Sequence, residues 1–256
     1  MSNFKSLLLL IHYWFPIMLG WSIAMVIHKA TGSPILFSGI TLYLLGIWAA
    51  YSFDRLLDDP KRSRPGWLKA ALLMGFVVST GLGVVLALQF SLQTLSVLVV
   101  FSVITLSYRK TKRFPFLKTL LVAITWTWAG VALPFSNSNW FAWQFWTMRT
   151  SLPLVLLIAA GCILCDLKDL KFDNADGVRS MPAVLGLRNT LFVTSAVLLV
   201  AALLSFEEGR MGLVASSVTL LFLARFPALL SLEAIGPLLV DVALTIPGLL
   251  ISIHFV

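Results

Sequence analysis

Nine apolar stretches run along the chain, and they constrain its fold more than any other feature of the sequence. They cover about residues 7–27, 34–53, 68–89, 91–107, 117–135, 151–166, 187–206, 211–231 and 235–254. A helix needs about 20 apolar residues to cross a hydrocarbon core about 30 Å thick. In lipid the backbone must satisfy its own hydrogen bonds, and barrel strands would show short alternating patterns instead. The sequence therefore predicts an all-α membrane protein, a bundle of about nine transmembrane helices in a single domain, 1–256.

The composition excludes the soluble classes of protein. Of the 256 residues, 59% are hydrophobic and 12% are charged, whereas a soluble domain has about 25% charged residues. One core cannot bury so much apolar surface, and a disordered chain would hold far less of it. Two cysteines and three histidines are too few for a disulfide framework or a cysteine-rich metal cluster. Cys162 and Cys165 are therefore expected to be small packing residues of the sixth span.

The basic residues are distributed unevenly between the two sides of the predicted bundle. With nine spans, 16 of the 19 Lys and Arg lie near the N-terminus or around the loops after even-numbered spans, and the other side has only Lys29, Arg149 and Arg210. Basic loops stay in the cytoplasm, so the N-terminus and the even-numbered loops are predicted to be cytoplasmic, with the plasma (inner) membrane as the default location. This bias accounts for the net charge of +8, and nucleic acid is not expected as a partner.

Two acidic clusters follow the second and sixth spans on the predicted cytoplasmic side. On a helix, Asp54 and Asp58 lie four residues apart, and Asp166, Asp169 and Asp173 step by three and four. Like charges at these spacings share a face and repel one another, so a positive partner is expected against them. One interpretation is Mg²⁺, which prefers carboxylate oxygens and bridges them to substrate phosphates. The other is that these are solvated loop charges neutralised by neighbouring Lys and Arg.

Basic residues near both clusters extend the first interpretation to a diphosphate. Arginine and lysine bind phosphate oxygens through charge-assisted hydrogen bonds, and the side chains in position to do so are Arg64, Lys112, Arg113 and Arg179. Two pairs of carboxylates facing each other across the bundle could then hold metal ions on both sides of the diphosphate. Asp241, inside the ninth span, is a further candidate. It could contact an acceptor or pair with a buried cation such as Arg225.

At these residues the sequence resembles the UbiA superfamily of intramembrane prenyltransferases. Similarity to the second aspartate-rich motif of that family is carried by Asp169-x-x-x-Asp173, Gly177, Arg179-Ser180 and the run 182–186, PAVLG. The segment 108–118 (YRKTKRFPFLK) is similar to the family's Tyr-then-Lys-Arg loop, and Arg64-Pro65 resembles the end of its first motif. The first motif otherwise departs from the pattern, because Ala50 and Tyr51 stand where the family usually has Asn and Asp.

The resemblance implies a nine-helix bundle that binds Mg²⁺ and an isoprenyl diphosphate within the membrane. Ionisation of the diphosphate would leave an allylic cation, and a lipophilic or aromatic acceptor would capture it. The implied catalytic residues are Asp54, Asp58, Asp169 and Asp173, and the implied metal ligands are these four together with Asp166. The implied substrate-binding residues are Arg64, Tyr108, Lys112, Arg113 and Arg179. The altered first motif implies that one metal ion is bound more weakly or held differently.

Three functions remain open on the sequence. The leading hypothesis is a Mg²⁺-dependent prenyltransferase. The second is a terpene cyclase of the same family, in which the same ionisation ends in cyclisation or water capture. The third is a non-catalytic protein that binds or transports lipids, which Ala50 and Tyr51 favour and the intact pair of Asp169 and Asp173 disfavours. The aromatic side chains that could shield a carbocation, or simply face lipid, are Trp126, Trp128, Phe114 and Phe116.

Overall fold

The structure, a computed structural model, describes residues 2–57, 66–111, 114, 116–135, 145–146, 149–176 and 178–253. Within these ranges the chain forms helices and turns and no strand. Nine helices have 13 residues or more: α1 (Ser2–Thr31), α2 (Phe37–Leu57), α3 (Gly66–Ala87), α4 (Leu92–Thr111), α5 (Leu117–Ala132), α6 (Ser151–Asp166), α7 (Met181–Glu207), α8 (Met211–Leu223) and α9 (Ile235–Ile253). The predicted all-α fold is confirmed.

Short helical segments connect the long helices at two places. A 3₁₀ turn, Leu167–Asp169, and a short helix, Leu170–Asp176, follow α6 directly. Another short helix, Pro227–Leu230, lies between α8 and α9. By length and composition, four described segments could cross a membrane: Gly66–Ala87, Ser151–Asp169, Met181–Glu207 and Ile235–Ile253. Shorter apolar helices accompany them at Leu92–Ser107, Leu117–Ala132 and Met211–Leu223.

Two of the predicted spans differ from the helices that form. The stretch 211–231 was expected to be one helix, but α8 ends at Leu223 and a second helix begins at Pro227. Proline restricts the residue before it to non-helical backbone, and Phe226 has φ −119° and ψ 63°. The stretch 187–206 begins earlier than expected, at Met181, and bends at Gly186, where φ is 75°. Glycine adopts a positive φ without steric cost, because it has no Cβ.

The helix α1 packs closely against α9, at a point where side chains are small. The Ser22 hydroxyl donates to the carbonyl oxygen of Leu244 at 3.2 Å and accepts from the amide of Gly248 at 2.9 Å. A Cβ on Gly248 would overlap the backbone of Ser22. Small residues let membrane helices approach each other in this way. The contact brings α9 into the bundle beside α1, where both helices border the central cavity.

The helices differ sharply in how much of their surface the bundle covers. Leu157, Ile158 and Leu164 of α6 are fully buried, so α6 lies in the middle of the core. In contrast, α3 exposes 69% of Met74 and 58% of Val77. An apolar face of this size is typical of contact with lipid. The bundle therefore encloses the polar side chains of α6, and outer helices such as α3 are in position to contact the bilayer.

Candidate active site

A cavity of about 510 Å³ lies inside the bundle and is lined by residues of α1, α2, α4, α5, α6 and α9 and of the segment after α6. Its charged lining residues are Asp54, Arg55, Lys118, Asp166, Lys168, Asp169, Asp173 and Asp241. Its apolar lining residues include Leu19, Leu121, Val122, Trp126, Ile158 and Leu244. The cavity therefore joins a charged region to an apolar groove between helices, within the size range of small-molecule sites.

The two acidic clusters reach this cavity from different helices. Asp54 stands in the last turn of α2, which ends at Leu57. Asp166 is the last residue of α6, and the 3₁₀ turn and short helix that follow carry Asp169 and Asp173 onward. The chain stays helical through this segment, so its three aspartates keep a common face, as their spacing suggests. All four aspartates line the same cavity.

Lys118 supplies the positive charge nearest to the second cluster. It lies in the first turn of α5, and its Nζ is 2.5 Å from Oδ1 of Asp166. The two side chains are only 19% and 7% exposed, so the pair is largely withdrawn from solvent. The other oxygen of this carboxylate, Oδ2, is buried and has no hydrogen-bond partner among the described residues. One oxygen of Asp166 is therefore neutralised within the protein, and the other is an open oxygen in the sense that no described residue satisfies it.

Asp173 is a second carboxylate with an open, buried oxygen. Its Oδ2 also has no hydrogen-bond partner within the part of the chain that the structure describes. Burial raises the pKa of Asp173 above its ordinary value of 3.8, opposed by the Ser180 hydroxyl and the Lys118 ammonium and reinforced by Asp166 and Asp169. A group with this environment is stabilised in its ionised form by an added cation.

Two more cations face Asp169 and Asp54. Lys168, only 4% exposed, has its Nζ 3.7 Å from Oδ2 of Asp169. The guanidinium of Arg55 interacts electrostatically with both Asp54 and Asp169, and it lies over the ring of Tyr51 with 4.8 Å from Cζ to the ring centroid. Asp54 and Asp169 therefore have positive neighbours, as Oδ1 of Asp166 has in Lys118, whereas the buried Oδ2 atoms of Asp166 and Asp173 have no hydrogen-bond partner among the described residues.

The donor set fits Mg²⁺, although the described residues form no ready-made cage. No three His, Cys, Asp or Glu side chains in the described ranges are grouped closely enough to enclose a metal ion. Mg²⁺ usually keeps several waters and binds through one or two carboxylates plus substrate phosphates. The buried, open oxygens of Asp166 and Asp173 are hard donors of this kind. The arrangement therefore provides part of a metal site, which the phosphates of a substrate would complete.

The structure describes only some of the other predicted site residues. Arg179 is exposed and does not line the cavity. Four of the predicted residues, Asp58, Arg64, Lys112 and Arg113, lie outside the described residues, as does the side chain of Tyr108. Their proposed roles in binding metal or diphosphate stay predictions.

Of the aromatic candidates, only Trp126 lines the cavity. Trp128 stacks on Phe101, with ring centroids 5.7 Å apart and planes 11° apart. Phe114 and Phe116 are 61% and 41% exposed. Of these four candidates, Trp126 is therefore the one whose ring could face a cation inside the cavity. Cys162 and Cys165, expected to serve only in packing, are free thiols on the cavity wall.

Sequence reasoning did not identify the cations within the cavity. The sequence places Lys118 and Lys168 among the basic residues of the predicted cytoplasmic side, and Lys118 also ends the segment 108–118, but neither is predicted as a site residue. Nothing local distinguishes Lys118, because its partner Asp166 is 48 residues away. For Arg55 the sequence does indicate a partner, because Arg55 stands four residues after Tyr51 on a helix and side chains at this spacing are neighbours.

Fold and cavity together define a membrane-embedded helical protein in which carboxylates and cations meet an apolar groove. The model of the UbiA prenyltransferase family matches residues 66–245, and the chain belongs to this family. The predicted resemblance and the predicted membrane bundle are thus confirmed. The activity characteristic of the family is prenyl transfer.

Solved structures agree with this assignment at the level of the fold. A UbiA homologue from Aeropyrum pernix K1 is 16% identical, with a TM-score of 0.72 over 94% of this chain and 98% of that chain. A UbiA homologue from Archaeoglobus fulgidus bound to GPP and Mg²⁺ is 15% identical, with a TM-score of 0.64 over 98% of both chains. The Archaeoglobus homologue bound to DMAPP and Mg²⁺ is 13% identical, with a TM-score of 0.58 over 96% of this chain and 98% of that chain. No curated protein sequence matches the chain.

Proposed function

We propose that the protein transfers a prenyl group from an isoprenyl diphosphate to a lipophilic or aromatic acceptor, with Mg²⁺ assisting departure of the diphosphate. The observation that carries this proposal is that Asp54 and the three aspartates of the second cluster line one cavity together with an apolar groove. The Archaeoglobus homologue of similar fold binds GPP and Mg²⁺. Such a donor has a charged head and an apolar tail, and the cavity offers a matching region for each.

The carboxylates would hold the metal at the charged end. Asp166 and Asp173 each direct one open, buried oxygen there, and these two residues are the proposed ligands. Bound Mg²⁺ would neutralise charge that develops on the departing diphosphate. Lys118 and Arg55 line the same region and would donate hydrogen bonds to the outer phosphate oxygens. Fixed charges in a site of low water content are usually the largest contribution to catalysis.

The apolar groove would hold the prenyl tail and exclude water from the reaction. Leu121, Val122 and Ile158 line it, and burial of apolar tail carbons contributes about 0.8 kcal/mol per CH₂. When the carbon–oxygen bond breaks, the electron pair leaves with the diphosphate and an allylic cation remains. The face of Trp126 would stabilise that cation by about 0.5–2 kcal/mol. The acceptor then forms the new bond to the allylic carbon and releases a proton.

Diphosphate release by the purified protein tests the proposal. The protein, in detergent or nanodiscs, would be offered a panel of prenyl diphosphates with and without Mg²⁺ and quinone-type aromatic acceptors. Asp169→Asn is expected to lower release at least 100-fold, because it removes a charge from the site that binds the metal and diphosphate. Glu207→Gln is the matched control, since Glu207 is exposed at the far end of α7 and is expected to leave release unchanged.

Each outcome of that assay discriminates among the three functions. Release that requires Mg²⁺ and an acceptor supports the transferase. Release that requires Mg²⁺ but no acceptor, with a cyclised or hydroxylated product, indicates the cyclase. Binding of prenyl diphosphate without any release, over the whole panel, indicates a lipid-binding protein. Normal release by Asp169→Asn would show that the acidic clusters are not the reaction site.

The orientation in the membrane is proposed separately. We infer that the acidic clusters and the N-terminus face the cytoplasm of the plasma membrane, from the placement of Lys and Arg. The exposed residues Arg179 and Glu207 flank the two ends of α7, a helix long enough to cross a bilayer. Single cysteines at these two positions, in a variant without Cys162 and Cys165, should react with an impermeant thiol reagent from opposite sides. Labelling of both from the same side would contradict the topology.

A further inference from the structure

The cation Arg55 and the ring of Tyr51 form a pair inside the cavity. Both residues line it, and the Cζ atom of Arg55 is 4.8 Å from the ring centroid. They stand four residues apart on α2, so they are neighbours on one helical face. A guanidinium over an aromatic face is attracted by the ring quadrupole. Tyr51 therefore helps to determine where the guanidinium lies.

The position of Arg55 divides the acidic site into two unlike parts. Its guanidinium interacts with Asp54 from the first cluster and with Asp169 from the second, and Lys168 is a further cation beside Asp169. The open carboxylate oxygens are instead the Oδ2 atoms of Asp166 and Asp173. A metal ion on the side of Asp166 and Asp173 therefore meets two oxygens without a hydrogen-bond partner, beside the pair of Lys118 and Asp166, whereas beside Asp54 and Asp169 it meets the guanidinium of Arg55.

The residues before Asp54 add no strong metal ligand on the guanidinium side. Ala50 lines the cavity but carries no ligand atom, and the phenol of Tyr51 is not a hard anionic donor of the kind that Mg²⁺ prefers. A second divalent ion between Asp54 and Asp169 would also be repelled by Arg55. An arginine can take over part of such an ion's task, because its planar fork binds two phosphate oxygens at once.

We propose that this site binds the diphosphate with one Mg²⁺, held on the side of Asp166 and Asp173, and that Arg55, positioned by Tyr51, supplies the positive charge on the opposite side. The inference rests on the proposed function for the presence of a diphosphate. In it Arg55 contacts the substrate, and Tyr51 is a positioning residue that acts through Arg55.

The number of bound metal ions is the direct test. Full-length protein in detergent would be dialysed to equilibrium against Mn²⁺, as a probe for Mg²⁺, with inorganic pyrophosphate at equal activity in both chambers. We expect one protein-bound Mn²⁺ per chain at saturation. Two bound ions per chain would overturn the inference. Glu207→Gln, exposed and distant along α7, serves as the matched control and should bind the same number as the unmodified protein.

Substitutions of the pair test how the second charge is supplied. Arg55→Gln is expected to weaken pyrophosphate binding about 10- to 100-fold, since a charge-assisted contact is lost, while one Mn²⁺ still binds. Arg55→Lys should recover part of this loss. Tyr51→Phe keeps the aromatic face and removes only the phenol oxygen, so it should bind pyrophosphate more tightly than Tyr51→Leu, which should bind it several-fold more weakly than the unmodified protein. Binding by Tyr51→Leu equal to that of the unmodified protein would remove Tyr51 from the proposal, and unchanged binding by Arg55→Gln would overturn it.

These measurements separate the inference from the proposed function. They need neither a donor nor an acceptor, so one bound Mn²⁺ and an Arg55-dependent pyrophosphate site would support the inference even without turnover. Prenyl transfer with two bound ions would leave the function standing and refute the inference. A protein that binds neither Mn²⁺ nor pyrophosphate would refute both.

Discussion

The buried ion pair between Lys118 and Asp166 offers a quantitative test of how the cavity is built. The distance from Nζ to Oδ1 is 2.5 Å, and the side chains are 19% and 7% exposed. With an effective dielectric constant of about 20, Coulomb's law gives about 7 kcal/mol of attraction at this distance before desolvation. Desolvation of two ions that are mostly buried offsets more than half of it. We therefore expect a coupling energy of about 2–3 kcal/mol between the two side chains.

A double-mutant cycle measures this coupling energy directly. Lys118→Met, Asp166→Asn and the double variant would be unfolded by SDS titration in mixed micelles without divalent ions. Lys118→Met leaves a buried carboxylate without its cation, and we expect it to lower the free energy of unfolding by about 3 kcal/mol. Adding Asp166→Asn should recover most of that loss. A coupling energy below about 0.5 kcal/mol would refute the reasoning, since it is typical of an exposed pair.

Mg²⁺ should act differently on these variants. In Lys118→Met a divalent cation can replace the missing ammonium beside Asp166, so added Mg²⁺ is expected to restore part of the lost stability. In the double variant the carboxylate is absent and Mg²⁺ should restore much less. Equal stabilisation of both variants by Mg²⁺ would indicate that Asp166 is not a metal ligand.

Three further predictions concern the same protein in metal-free detergent solution and are all measured by its free energy of unfolding. Burial raises the pKa of Asp173 above 3.8, so between that value and the raised pKa the native state holds more protons than the unfolded state. The free energy of unfolding should therefore fall as the pH rises through this window. Asp173→Asn should reduce this dependence of stability on pH. Gly248→Ala places a Cβ against the backbone of Ser22 and should lower the free energy of unfolding by more than about 2 kcal/mol. In Gly46→Ala the added Cβ meets nothing within 4 Å, so stability should be unchanged or rise by up to about 1 kcal/mol. Gly186→Ala meets no neighbour either, but an alanine at φ 75° and ψ 162° stands in a region that only glycine adopts readily, and should cost about 1–3 kcal/mol.

The cavity carries its own counter-ions, and this affects how a substrate would bind. Lys118 and Lys168 face carboxylates of the second cluster, and Arg55 faces both clusters. In the absence of ligand these cations stabilise aspartates that would otherwise repel one another. A diphosphate would compete for the same cations while Mg²⁺ competes for the carboxylates. Metal and diphosphate are therefore expected to bind cooperatively, each releasing groups that the other needs.

The apolar runs of the sequence determined most of the helices. The stretch 151–166 coincides with α6 (Ser151–Asp166), and 68–89 differs from α3 (Gly66–Ala87) by two residues at each end. The physical reason is local, because a backbone in lipid must form its own hydrogen bonds wherever the chain is apolar for long enough. The prediction of one helix over 211–231 is wrong, because hydropathy does not include the backbone restriction that Pro227 places on the residue before it.

Spacing along the chain also determined which acidic residues share a face. Asp166, Asp169 and Asp173 all line one cavity, as steps of three and four on a helix require. Local spacing likewise brings Tyr51 to Arg55, four residues later on α2. These features depend only on helical geometry, which the sequence specifies once a segment is known to be helical.

Only the tertiary structure decided which helical faces meet. Lys118 forms an ion pair with Asp166, 48 residues away, and the amide of Gly248 donates to the hydroxyl of Ser22, 226 residues away. In the sequence the first is one basic residue among several in a loop region, and the second is one small residue among many. Which partner each residue has depends on how every helix packs against the others, and that packing is a property of the whole bundle rather than of any segment.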